Sequence, residues 1–242
     1  MSLRGEGIHL VRGGKDILRG VDIEARPGEV LAVLGPSGAG KSTLFRALVG
    51  ELPMERGRVF LDDADITGWP LWRRSRAGVG YVPQTPSVLW NLTVRRNLVA
   101  FHRIVHGTDG DPVTSARRVE LGGRLDVPAG ELSAGERRRL ELARALVRPP
   151  RVLICDEPFA GVDPVGSAHI ARLLKDLAQD GVAIVLADHH VAEALSLATR
   201  AMLLLDGLVA TVGDPSSFQD HPLVRGRYLG SWSRPPPRPN AP

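Results

Sequence analysis

The sequence predicts an α/β fold in which a mostly parallel sheet is flanked by helices, and three observations carry that expectation. Short β-branched or apolar runs alternate with segments whose apolar residues recur at three- and four-residue spacing. Near the start, GIHLV and GVDIEA are separated by the turn-forming RGGKD, which reads as antiparallel β structure. From about Trp90 to Glu131 strand signals vanish, and polar helix-forming stretches interrupted by Gly107-Thr108-Asp109-Gly110-Asp111-Pro112 read as a helical insert.

Strand candidates along the chain are residues 30–34, 58–61, 79–83, 152–155, 182–187 and 201–205. Helix candidates are 42–49, 134–147, 164–179 and 191–198, each with one apolar stripe. The expected organisation is one domain over 1–230 with a helical subdomain inserted at about 86–148. The tail, 231–242, is rich in Pro and Arg, has too little apolar surface to pack, and is expected to be disordered.

Composition narrows the possible roles. Hydrophobic residues make up 43% of the 242 positions, yet no apolar run approaches the roughly 18 residues that a spanning helix needs. Any membrane role is therefore expected to be peripheral. Charges and glycines break up the N-terminal stretch MSLRGEGIHLVRGGKDIL, which does not read as a secretory signal, so a cytoplasmic chain is expected. The single cysteine, Cys155, permits neither an internal disulfide nor a thiolate metal cluster. The net charge is +4, but the basic residues are spread along the whole chain and only Lys15, Lys41 and Lys175 are lysines. This reads as an arginine bias, not a binding stripe, and no nucleic-acid partner is expected.

The apolar run 30–34 leads directly into Gly35-Pro36-Ser37-Gly38-Ala39-Gly40-Lys41-Ser42, with Thr43 following in a helical segment. This is the GxxxxGK[ST] phosphate loop in its required strand-loop-helix setting. Glycines let backbone N–H groups converge on phosphate oxygens, and the helix N-terminus adds a favourable dipole. Lys41 would place a compact charge at the β- and γ-phosphates of ATP, and Ser42 would bind Mg2+. A second apolar run ends in Asp156-Glu157-Pro158, at the strand end where an open α/β sheet places ligand groups. Asp156 would hold the magnesium ion and Glu157 would orient and deprotonate the attacking water.

Phosphate loops serve many enzymes, so the narrower assignment rests on Leu132-Ser133-Ala134-Gly135-Glu136, just upstream of the acid pair. This pentapeptide resembles the signature of the ABC ATPases, whose usual form is LSGG followed by Gln or Glu. Ala134 replaces the first glycine and leaves less room for backbone approach to a phosphate. In sequence order, Gln84 resembles the family's magnesium-touching glutamine, Ala160-Gly161-Val162-Asp163 its dimer-crossing loop, and His189 its switch histidine. Arg12 stands where the family often stacks an aromatic residue on adenine, which implies poor discrimination between ATP and GTP.

The resemblance covers about residues 5–230. It implies a P-loop NTPase core of ABC type with an N-terminal antiparallel β subdomain and a helical signature subdomain. It also implies a homodimer with ATP sandwiched between chains, in which Ser133, Gly135, Glu136 and Asp163 meet the partner's nucleotide. Within the family, GERRRLELARAL, DEPFAGVDP, DHHVAEAL and VRGRYLG are most similar to the lipopolysaccharide-export ATPases. Importers of branched-chain amino acids share much of this vocabulary and remain an alternative, with non-transport ABC ATPases more distant. His190, where the export type usually has Asn, is a departure. The implied setting is the cytoplasmic face of an inner membrane, beneath two membrane-spanning permease subunits.

The segment 86–92 follows Gln84 directly and opens the insert. Its Pro86, Val88, Leu89, Trp90 and Leu92 are expected to line a groove for a permease helix. Trp90 is expected to be the anchor, because aromatic residues dominate interface energies.

Overall fold

A computed structural model describes residues 1–108 and 110–229. The Pro- and Arg-rich tail, 231–242, lies outside the described residues.

The chain opens with a hairpin of β1 (Leu3–Arg12) and β2 (Lys15–Ala25). Gly13 and Gly14 make its turn at φ 58° and 75°, a region that costs a residue with a Cβ. Next come β3 (Val30–Leu34), α1 (Lys41–Leu48), β4 (Arg56–Leu61) and the short β5 (Ala64–Asp65). The middle of the chain holds α2 (Leu71–Arg76), β6 (Val79–Val82), α3 (Val94–His106), α4 (Pro112–Arg118) and α5 (Ala134–Ala145). It continues with β7 (Val152–Asp156), α6 (Pro164–Gln179), β8 (Ala183–Ala187), α7 (Val191–Leu197), β9 (Arg200–Leu205), β10 (Leu208–Gly213) and α8 (Pro215–Asp220).

Among the described residues the strands form two sheets, a four-stranded one in the order β2-β1-β4-β5 and a six-stranded one in the order β10-β9-β3-β8-β7-β6. In the larger sheet β9, β3, β8, β7 and β6 run parallel, and β10 turns back antiparallel onto β9. The run at 58–61, grouped by its sequence with the parallel strands, belongs instead to the antiparallel sheet. Its partner is β1, with Leu3 opposite Leu61 and Gly5 opposite Val59. A short apolar run alone does not say which strand it will pair with.

The strand period of two builds two cores from the central sheet. Val30, Ala32 and Leu34 of β3 face one core, which α3, α4, α5 and α6 cover with Val94, Ala116, Leu140 and Ile170. Leu31 and Val33 face the other, which α1 and the antiparallel sheet fill with Phe45, Leu48, Leu10 and Val21. With both faces covered, β3, β7 and β8 are buried at every position, as parallel strands require. Cys155 lies inside the first core, one residue before Asp156. No helix among the described residues is long and apolar enough to cross a membrane.

Candidate functional site

The phosphate loop lies between β3 and α1, and its backbone can be built only with glycine at two points. Gly35 has φ 153°, and a Cβ there would stand 2.2 Å from the Leu204 carbonyl oxygen. Gly40, at φ 106°, would put one 3.0 Å from the Ile17 carbonyl oxygen. Gly40 is also the N-cap of α1 and offers no side chain to its first N–H groups. A helix start with no side-chain cap leaves those donors for an anion. Lys41 folds back over the loop and donates through Nζ to the carbonyls of Gly35 at 2.7 Å and Pro36 at 2.9 Å. Burial lowers the Lys41 pKa, an effect opposed by the nearby Glu157 and Asp156 carboxylates. Both carbonyl bonds can be exchanged for phosphate oxygens at little cost, because an ammonium reorients its donors freely.

Asp156 ends β7 beside this loop. Its carboxyl is 2% exposed and its pKa is raised, first by burial and also by the Glu157 charge, while a hydrogen bond from Ser42 pulls the other way. Its Oδ1 is buried without a hydrogen-bond partner. An orphaned carboxylate oxygen beside a hydroxyl suits a hard divalent cation, which takes oxygen ligands and shares them with phosphate. Among the described residues, no three His, Cys, Asp or Glu side chains gather as a protein-only metal cage. The donors present therefore fit magnesium brought in with a nucleotide.

Glu157 adopts φ 54°, a left-handed conformation that costs a non-glycine residue on the order of 1–2 kcal/mol. Two donors converge on its Oε1: Gln84 Nε2 at 2.8 Å and His189 Nε2 at 2.8 Å. Gln84 comes from the end of β6 and His189 from the end of β8, so three neighbouring strands deliver one cluster at their carboxyl ends. Behind it, the fully buried Asp188 accepts from the Phe159 N–H at 2.9 Å and from His190 Nδ1 at 2.8 Å, which braces the turns carrying Glu157 and His189.

The signature forms the start of α5. Ser133 is its N-cap, with Glu136 N–H donating to Ser133 Oγ at 3.2 Å and Ser133 N–H donating to Glu136 at 2.9 Å. This capping box holds the helix start in place while Ser133 and Ala134 stay exposed. Ala134 has ordinary helical backbone, so its methyl requires no strained geometry. Gly135 is buried against the crossing loop: a Cβ there would meet Val162 at 3.2 Å and Asp163 at 3.5 Å. Asp163 caps α6 through Oδ1, which accepts from Val165 and Gly166 at 3.0 Å each. Arg12 is exposed at the end of β1, opposite Lys15.

In the 86–92 segment Val88 is 3% exposed and sits in the core, which corrects its expected place on a docking surface. Leu89 and Trp90 are exposed, at 40% and 47%, Pro86 is exposed and Leu92 is half-buried. The apolar groove nearby, ≈ 450 Å³, is lined by Leu71, Trp72, Phe101 and Ile104 together with Ser87, and Trp90 is not among its lining residues. Sequence reasoning missed Asn97. It is fully buried in α3 and holds the segment by accepting from Leu89 N–H at 2.9 Å and donating to the carbonyls of Leu89, Leu92 and Thr93. A lone Asn in a helical stretch carries no sequence signal for this.

A phosphate loop, an acid pair and a capped signature on this two-sheet fold define an ATP-hydrolysing cassette. The family profile of ABC transporters matches residues 18–160, and the chain belongs to that family. It is 41% identical over 221 residues to the lipopolysaccharide export system ATP-binding protein LptB of Acidithiobacillus ferridurans, covering 88% of this chain and 90% of that one. It is 36% identical over 227 residues to LptB of Escherichia coli (strain K12), covering 90% and 92%. Among solved structures, an ATP-binding cassette of an ABC transporter in its ADP conformation superposes with TM-score 0.84 at 28% identity, covering 95% of this chain and 99% of that one.

Proposed function

We propose that this chain is the ATPase subunit of a lipopolysaccharide exporter. It works as a homodimer on the cytoplasmic face of the inner membrane, beneath two membrane-spanning permease subunits. The observation that carries this reading is 36–41% identity to LptB proteins, sustained along nearly the whole of both chains.

The cluster geometry and the order of the motifs support the following residue roles. Glu157 is the base that takes a proton from the attacking water, and Gln84 and His189, both on its Oε1, orient it. Lys41 and the backbone N–H groups of the loop, Pro36 excepted, would hold the phosphates, and His189 would reach the γ-phosphate. Ser42, Asp156 and Gln84 would hold magnesium, which would neutralise charge on the phosphate oxygens. The start of α5, exposed at Ser133 and backed by Gly135 and Glu136, and the loop at Asp163 would face the nucleotide of the second copy, while Arg12 would stack on the base. Permease helices dock in the groove lined by Trp72, Phe101 and Ile104.

The test is reconstitution of the chain, with its membrane subunits, in proteoliposomes loaded with lipopolysaccharide. ATP-dependent release of lipopolysaccharide is expected. ATP-dependent uptake of branched-chain amino acids without such release would overturn the reading.

A further inference from the structure

One buried side chain joins the two loops that carry the reactive groups. Arg138, on the second turn of α5, is 5% exposed and commits all its terminal N–H groups. One nitrogen donates to the Pro83 carbonyl at 2.6 Å and to Glu141 Oε2 at 2.7 Å. The other donates to the main-chain carbonyls of Asp156 and of Glu157, the latter at 2.7 Å. Pro83 immediately precedes Gln84, so one guanidinium fixes the backbone at both the glutamine and the base. A rigid planar fork can serve four acceptors in this way, whereas an ammonium with three swivelling donors cannot.

Glu141 extends the connection outward. It is 4% exposed, and its second oxygen accepts from Ser87 N–H at 2.6 Å. The carbonyl of the same Ser87 accepts from Arg144 Nη1 at 2.6 Å, and Arg144 stacks on Phe101 at 3.7 Å. Ser87, Glu141, Arg144 and Phe101 all line the apolar groove. An unbroken series of short bonds therefore runs from the groove wall through Ser87, Glu141 and Arg138 to the carbonyl of Glu157.

We propose that Arg138 and Glu141 are positioning residues: they set the backbone that aims Glu157 and Gln84, and they tie that aim to whatever fills the groove at Ser87. The proposal rests on Glu157 being the base. Neither side chain touches the water or the phosphates; both act through the placement of residues that do.

The experiment is a double-mutant cycle in the assembled transporter, reading single-turnover hydrolysis at saturating ATP and magnesium together with nucleotide affinity. Arg138→Lys is expected to slow hydrolysis by roughly 10- to 100-fold, the scale of a small misplacement of a reacting group, with ATP affinity changed by less than about twofold. In a Glu157→Gln background the same change should add less than about twofold, because the group it aims is already gone. A purely structural role would repeat its whole loss in that background or lower ATP affinity instead, and either result overturns the proposal. If Arg138→Lys does not assemble, Glu141→Gln runs through the same cycle with the same criteria. Failure of both variants to fold makes the pair structural and also overturns it. Undiminished hydrolysis in Glu157→Gln alone would reject the base, a result distinct from any result on Arg138.

Discussion

The Glu157 cluster and the apolar groove lie on either side of Arg138, and they are built in opposite ways. The cluster uses short contiguous motifs: residues 35–43 and the pair 156–157 each arrive ready-made at the end of a buried strand. The groove is assembled from α2, α3, α5 and β6, segments far apart in the chain. Chemistry that needs an unusual backbone leaves glycines and paired acids in fixed order. A groove needs only shape and apolarity, which many sequences supply. Function written in backbone geometry can therefore be read locally, whereas function written in surface shape cannot.

The largest expected effect lies at the cluster. Glu157→Gln should reduce ATP turnover by roughly 100-fold or more, the usual scale for losing a general base, while nucleotide still binds and the ATP-bound dimer accumulates. Steady-state hydrolysis and size-exclusion chromatography of the purified chain measure both, and wild-type turnover would remove Glu157 from the mechanism.

An intermediate effect separates the groove from the segment that sequence alone favours. Trp72 is 59% exposed and lines the groove, whereas Trp90 packs beside Arg137 outside it. Trp72→Ala should weaken assembly with the membrane subunits by about 2 kcal/mol, as truncating an aromatic anchor does. Basal ATPase and melting temperature of the isolated chain should stay the same. Co-purification that survives Trp72→Ala and fails with Trp90→Ala would return the anchor to the 86–92 segment.

The smallest effect concerns the tension inside the cluster. Burial holds the Asp156 carboxyl above its ordinary 3.8, so its protonated form favours the fold. That contribution is complete below the unfolded value and disappears as pH rises through the raised folded value. Asp156→Asn should therefore stabilise the nucleotide-free chain at neutral pH and flatten this part of the pH profile, while ATP with magnesium adds less stabilisation than in wild type. Thermal melts across pH with and without nucleotide report both, and a destabilised Asn variant would show that the carboxylate's bonds outweigh its burial.

Most of the sheet was legible because buried parallel strands have no polar face to confuse the pattern. β3, β7, β8 and β9 each read as an apolar run, and α6 was bounded by Asp163-Pro164 at one end and Gly181 shortly after the other. α2 was not legible, because its buried side chain is not apolar. Arg74 is 2% exposed and spends its donors on the carbonyls of Trp69, Ala47, Leu48 and Thr67, and burial pushes its pKa down to about 10. With Arg138 and Arg144 also buried, arginines that the sequence presented as compositional bias serve partly as internal staples. β10 went unread because it is a half-exposed strand on the sheet edge, without the continuous apolar run of its neighbours. At the site, the phosphate loop and acid pair could be located from residue order. The convergence of Gln84 and His189 on one oxygen of Glu157 depends on strand order, which no local pattern contains.

Cys155 gives the molecule a built-in clock for its own opening. It is the single thiol in the chain, fully buried beside Asp156, and burial pushes its pKa up to about 12. A thiol reagent meets no reactive thiolate while β7 stays in the sheet. Labelling by such a reagent therefore reports the loosening of the strand beneath the acid pair: its rate when labelling outpaces reclosure, its open population otherwise. Nucleotides and partner subunits that clamp that strand would be ranked by how far they slow the labelling, with no introduced probe.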